Sequence, residues 1–179
     1  MVSAAVSPVD VVVIGGGHNG LTAAAYLQRA GYRVQLLERL DQVGGAAVSA
    51  DAFDGMDARL SRYSYLVSLL PERIRQDLNL PISLFRRRFS SYTPIPGTDI
   101  GLLIDTDDDE RTRESFRTIG AEEDFPAWQE FYQDTATVAQ CLFPTMLDPL
   151  LTRSEVRGLL EQAAPGRHLY ERFIEGSIV

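Results

Sequence analysis

The hydrophobic pattern is sharpest at the start of the chain. Val9 to Ile14 reads VDVVVI, a continuous β-branched apolar run. Such a run suits a central parallel strand buried on both faces. Gly15 to Gly20 follow as GGGHNG. Leu21 to Ala30 then sets Leu21, Ala24, Ala25 and Leu27 on one face, which predicts a helix. Gly31 is the glycine expected just past its end. Arg33 to Leu37 is a second β run, closed by Glu38. Strand, glycine turn, helix and strand in about 30 residues have the size of one βαβ unit.

Beyond Glu38 the pattern loosens. Val43 to Ala47 (VGGAA) is a second glycine-rich turn, and Phe53 to Arg59 alternates as a strand would. Pro71 to Leu80 reads as a helix with Pro71 near its first position. Ser91 to Pro96 and Gly101 to Asp105 pair as a hairpin across Gly97-Thr98-Asp99. The acidic stretch Asp105 to Glu110 begins a further helix, because carboxylates favour the positive helix start. Ala121 to Val138, Ser154 to Ala163 and Leu169 to Glu175 are helical in pattern, with breaks at Pro144, Pro149 and Pro165.

Composition narrows the chemistry. The 179 residues carry a net charge of −8, which disfavours nucleic acid as a partner, since that binding neutralises phosphates with basic side chains. All 17 basic residues are arginine, a bias pointing to a GC-rich bacterial source. The cluster Arg86-Arg87-Arg88 reads as a solvated turn. No apolar run reaches the roughly 18 residues of a membrane span, and Met1 to Asp10 has no leader-like basic start. The expected location is the bacterial cytoplasm. Cys141 is the single cysteine, so a redox disulfide within the chain is excluded, and it reads as a small core residue.

The candidate chemistry lies in the first 47 residues. Gly15-x-Gly17-x-x-Gly20 between a strand and a helix is a dinucleotide fingerprint. Gly15 permits the tight turn, Gly17 lets a diphosphate approach the backbone, and Gly20 lets the helix pack closely. The helix start offers free N–H groups and partial positive charge. Glu38, 18 residues past Gly20, is placed to accept hydrogen bonds from an adenosine ribose, and it repels a 2′-phosphate. Arg39 beside it is able to accommodate that phosphate. Gly44, Gly45, Ala46 and Ala47 supply a second small-residue surface past the ribose, which favours the longer FAD over NAD. The full candidate cradle is Ile14, Gly15, Gly17, His18, Asn19, Gly20, Glu38, Arg39 and Gly44 to Ala47. His18 enters as a loop residue offering a backbone N–H. Tyr63, Tyr65, Tyr92 and Trp128 are aromatics for a pocket or for core packing. No metal ligand set is read, and His168 is taken as structural or exposed.

The stretch from Asp10 to Ser49, with His18-Asn19-Gly20 and Gly44 to Val48, resembles the phytoene-desaturase-like FAD oxidoreductases. Within them it is most similar to the pyridine nucleotide-disulfide oxidoreductase domain-containing protein 2 branch. Ser61 to Leu70 and Ser91 to Pro94 extend the likeness. The resemblance implies an α/β fold of the two-dinucleotide-binding type: a Rossmann-like FAD-binding βαβ unit, then an incomplete α+β substrate domain. Residues 1–70 are expected to be the N-terminal part of the FAD domain, and 71–179 a truncated substrate or cap domain. It also implies FAD as cofactor, hydride exchange with an apolar small molecule, and no catalytic acid or base, because the flavin carries the chemistry. Family members are longer, so a second chain supplying the C-terminal half is an expected partner. The flavin half of the site is then expected to have only Gly44 to Ala47 on one side. An NAD-binding dehydrogenase domain and a non-catalytic remnant are the alternatives.

Overall fold

The computed structural model describes residues 8–64, 66–67 and 69–177. The sequence readings on Met1 to Ser7, Tyr65, Ser68 and Ile178-Val179 lie outside the described residues. The chain divides into two compact units, Met1–Leu84 and Phe85–Val179. The first therefore reaches past residue 70 and includes the Pro71 segment. Both units mix α and β structure.

In the first unit, β1 (Val11–Ile14) pairs in parallel with β2 (Val34–Leu37), and α1 (His18–Arg29) makes the crossover. The register runs from Val11 opposite Val34 to Ile14 opposite Leu37. Val11, Val13, Val34 and Leu36 are half-buried, on the side where α1 packs. Val12, Ile14, Gln35 and Leu37 are exposed, Ile14 to 87 %. Burial on both faces, expected from the unbroken apolar run, is therefore not seen. A helix covers one face of a two-stranded sheet, and side chains alternate between faces.

α1 starts three residues earlier than the apolar pattern predicts. Gly17, in extended conformation, is its N-cap, so His18, Asn19 and Gly20 form its first turn rather than a loop. First-turn N–H groups have no intrahelical acceptor, so neither apolar spacing nor capping chemistry marks them in the sequence. The helix ends with the Gly31 N–H bonded to the Gln28 carbonyl.

β3 (Ser49–Asp51) and β4 (Arg59–Ser61) form a short antiparallel hairpin. Of the strand expected over Phe53 to Arg59 only Arg59 is in a strand; residues 53–58 lie in the turn between β3 and β4, with a Met56 N–H to Phe53 carbonyl bond. Asp54-Gly55 is a turn dipeptide, and its local chemistry overrides the loose alternation. α2 spans only Glu72–Asp77, with Pro71 as N-cap. It is tied to α1 by the Tyr26 hydroxyl, which donates to the Asp77 carboxylate at 2.7 Å.

The second unit opens with the expected hairpin, β5 (Phe89–Pro94) against β6 (Gly101–Asp105), with a bulge between Phe89 and Ser91. Three helices follow: α3 (Asp109–Thr118), α4 (Phe125–Leu142) and α5 (Arg153–Ala163). Asp105 does not begin a helix. It is the buried last residue of β6, and Asp108 caps α3 by accepting the Arg111 N–H at 2.9 Å. The Asp105 carboxylate accepts from Arg88, so that arginine, exposed like its two neighbours, is also a structural partner. α5 opens with a capping box between Thr152 and Glu155. The helix expected over Leu169 to Glu175 is a π-type turn, Glu171–Glu175.

Two small cores hold this unit. Ile104, Phe116 and Phe125 pack with Trp128, and the Phe116 and Phe125 rings meet edge-on at 5.6 Å. Leu160, Leu169 and Tyr170 pack with Val138, half-buried Cys141 and Phe173. Beside the second core, buried Asp134 on α4 pairs with Arg167 at 2.7 Å and with Arg172. Among the described residues no helix is long and apolar enough to cross a membrane.

Candidate functional site

The predicted cradle gathers at the C-terminal ends of β1 and β2. Ile14 ends β1, Gly15 donates its N–H to the Leu37 carbonyl at 2.7 Å, and Gly16 is buried. Glu38 directly follows β2. One carboxylate oxygen accepts the Gly16 N–H at 2.6 Å and the other the Leu40 N–H at 3.0 Å. These bonds, with Arg39 alongside, hold the Glu38 carboxyl below its ordinary 4.5, against the opposing effect of partial burial. A carboxylate has about four acceptor positions, so two remain for a ligand. Arg39 is exposed beside it.

The second glycine turn closes on the first. The Gly44 N–H donates to the Gly16 carbonyl at 2.7 Å, and Gly44 bridges Gly17 in parallel. Gly44 and Gly45 both have positive φ, 128° and 58°, where a side chain is strained. A Cβ on Gly45 would also sit 2.8 Å from the Gly17 Cα. The glycine requirement here thus comes from loop-on-loop packing, a different cause from the cofactor contact expected from the sequence. Gly45–Ala47 then forms a single 3₁₀ turn.

Gly20 needs its missing side chain for a different reason. A Cβ there would collide with the Gly15 carbonyl oxygen. At Gly17 the same atom would meet only the Gly45 Cα, at an ordinary 3.8 Å. A Cβ at Gly17 would therefore find room. No side-chain cap hydrogen bond is made at the start of α1, where the first-turn N–H groups have no intrahelical acceptor. His18 and Asn19 are exposed in that turn, and the Thr22 hydroxyl donates to the His18 carbonyl at 2.8 Å.

A cavity of about 880 Å³ lies in the same unit. His18, Asn19, Thr22 and Ala23 of α1 line one part of it, and Ala47 lines it as well. Tyr63, Ser64, Leu66, Val67, Leu69, Leu70, Pro71, Ile74 of α2 and Ile82 line the rest. Its only trace in the sequence is a run of apolar residues without clear period. Of the aromatics singled out, Tyr63 lines this cavity, Trp128 packs in a core and Tyr92 is exposed. Sequence reasoning also misses Gly16 and Val43. Val43 occupies the space a Gly16 side chain would need, at 2.8 Å, and sits at a position no fingerprint specifies. His168 is exposed with a φ of 52°. No group of three or more His, Cys, Asp or Glu side chains able to hold a metal occurs among the described residues.

Residues 13–73 match the model of the NAD(P)-binding Rossmann-like domain. An uncharacterized protein of Mycobacterium tuberculosis is 57 % identical over 150 residues, 83 % of this chain and 28 % of the relative. Pyridine nucleotide-disulfide oxidoreductase domain-containing protein 2 of Mus musculus is 39 % identical over 158 residues, 82 % of this chain and 25 % of the relative. Carotenoid 3,4-desaturase of Haloarcula japonica is 44 % identical over 64 residues, 36 % of this chain and 13 % of the relative. The chain spans about a quarter of the length of the first two relatives. No solved structure gives a significant match. Residues 13–73 therefore form a NAD(P)-binding Rossmann-like domain, and the chain is a partial-length homologue of pyridine nucleotide-disulfide oxidoreductase domain-containing protein 2 and of carotenoid desaturase.

Proposed function

We propose that this chain is the dinucleotide-binding part of an FAD-dependent oxidoreductase acting on an apolar small molecule. The observation that carries the reading is the joining of both glycine turns and Glu38 around the uncapped start of α1. The first-turn N–H groups and the backbone at Gly17 bind a diphosphate. Glu38 accepts from the ribose hydroxyls of adenosine, while Gly44 to Ala47 border the path beyond the diphosphate. When bound, a flavin supplies hydride acceptance and return, and the protein supplies binding, orientation and a dry site. A relative named carotenoid 3,4-desaturase supports an apolar substrate class. Turnover then requires the part of the relatives' length not aligned here, in the same polypeptide or supplied by a second one.

A second reading, an NAD-binding dehydrogenase domain, is favoured by one finding. Packing of Gly45 on Gly17 explains the second turn without a longer cofactor. Calorimetric titration of the full chain with ADP, FAD and NAD separates the two. The expected order is FAD tighter than NAD, with ADP competing against FAD. NAD binding tighter than FAD overturns the flavin reading, and failure of all three overturns the dinucleotide site.

A further inference from the structure

We infer that Val43 is a positioning residue, which holds the Glu38 carboxylate ready for an adenosine ribose by packing on Gly16. The inference rests on the dinucleotide reading above and deepens it. Gly16 is held on several sides. Its N–H donates to one Glu38 oxygen at 2.6 Å, and its carbonyl accepts the Gly44 N–H at 2.7 Å. The remaining side is the space left by its missing side chain. A Cβ there would lie 2.8 Å from Val43 Cγ1 and 3.2 Å from Glu38 Oε2, so both side chains border that one space. Gly16 is the buried centre of this group, whereas Val43 is half exposed.

The role follows from what the carboxylate must do. A free glutamate side chain samples many rotamers. Fixing it in one beforehand lowers the ordering cost of meeting a ribose with both hydroxyls. Glu38 is fixed by two backbone donors, the N–H groups of Gly16 and Leu40. Water reaching the Gly16 N–H competes with the first of these bonds. The Val43 methyls cover that side with hydrocarbon, and a hydrogen bond shielded from water is the stronger one. The β-branch suits the task, because it leaves Val43 few choices at χ1 and keeps the methyls in place. The Val43 side chain offers a ligand no hydrogen bond, so its effect on a ribose runs through Glu38. Its backbone lacks the left-handed φ of Gly44 and Gly45, so its side chain can be changed without straining the turn.

The test is a double-mutant cycle in the full chain at one neutral pH. It is read with ADP and with the 2′,3′-dideoxy analogue of ADP, which lacks both ribose hydroxyls. Val43→Ala is expected to weaken ADP about tenfold. The dideoxy analogue should hold within about twofold, and ADP should weaken no further when Val43→Ala is added to Glu38→Gln. Val43→Ile keeps the β-branch and should bind ADP within about twofold of the parent. One readout needs no ligand: the Gly16 amide should exchange faster in Val43→Ala, with α1 protected as in the parent. Equal loss for ADP and the dideoxy analogue overturns the role, because it marks direct contact of Val43 with adenine. Unchanged ADP affinity or an unchanged Gly16 amide in Val43→Ala overturns it too. A fall in α1 protection as large as that at Gly16 assigns Val43 to the fold, which also overturns it. So does a loss in Val43→Ile equal to that in Val43→Ala. A parent chain that binds no ADP overturns the dinucleotide reading beneath, and the role of Val43 with it.

Discussion

Among the described residues of Met1–Leu84, Gly16 is the single buried residue, whereas Phe85–Val179 buries two apolar clusters and two carboxylates. The first unit holds its shape through backbone. Gly15 bonds Leu37, Gly44 bonds Gly16, and Glu38 ties the glycine loop to the end of β2. The second holds its shape through side chains: the Phe116, Phe125 and Trp128 rings, and the Asp105 and Asp134 ion pairs. A surface made of N–H groups and missing Cβ atoms recognises a ligand but buries little apolar area. The unit with the candidate chemistry is thus the one with the smaller apolar contribution to stability.

The largest effect is expected in the second unit. Phe116 is only 5 % exposed, and truncating such a ring to alanine costs about 3–5 kcal/mol. Phe116→Ala should therefore accelerate hydrogen exchange throughout α3 and α4. An equal acceleration in α1 would break the comparison, because it would make the two units one cooperative body.

Next comes a pair of glycines in the first unit. Gly17→Val has room for its Cβ, so α1 should keep its exchange protection while ADP and FAD binding fall by about a hundredfold or more. Gly20→Ala collides with the Gly15 carbonyl and should lose both binding and loop protection. Retained binding in Gly17→Val would remove the diphosphate from this loop. Identical behaviour of the two variants would show that Gly17 also serves the fold.

Glu38 sharpens the contrast through pH. Its carboxyl is held below the ordinary 4.5, so the charged form is favoured in the folded state. Its contribution is present above the ordinary value and is lost as pH falls through the lowered one. FAD affinity should be level from neutral pH down to about 5, because its doubly esterified diphosphate keeps its charge there, and drop only below the ordinary glutamate range. Glu38→Gln should weaken FAD about tenfold and abolish that Glu38-linked acid drop. An unchanged acid profile in the variant would assign the drop to another group.

The smallest effect expected is at the start of α5. Thr152→Ala removes the hydroxyl that accepts the Glu155 N–H and should cost about 1 kcal/mol. Thermal melting should register it, with dinucleotide affinity unchanged. A shift in affinity would mean that the end of the chain communicates with the cradle.

Much of the site is legible in the sequence because its constraints are local. Gly15, Gly17 and Gly20 stand at fixed spacings between a β-branched run and a helix, and Glu38 closes the second strand. These are demands of steric fit and charge that single residue types satisfy. The parallel β1–α1–β2 unit, the β5–β6 hairpin and the longer helices follow from apolar periodicity and end signals in the same way. Local chemistry also misleads where two signals compete. Asp54-Gly55 makes a turn inside an alternating stretch, and Asp105 ends a strand where an acidic run promises a helix.

The order of residues alone dictates the βαβ succession, the fingerprint spacing and the charge at Glu38, since each rests on neighbours a few residues apart or on one residue type. Packing in three dimensions dictates the rest: that Gly45 lies on Gly17, that Arg88 serves buried Asp105, and that a cavity opens beside α1, lined also by Tyr63, Ile74 and Ile82. Those contacts join residues 17 to 64 positions apart. Their partners are set by how elements pack rather than by any spacing along the chain. The exposed outer side of β1 belongs with them: an unbroken apolar run states that both faces suit burial, but only neighbouring elements determine whether both are covered.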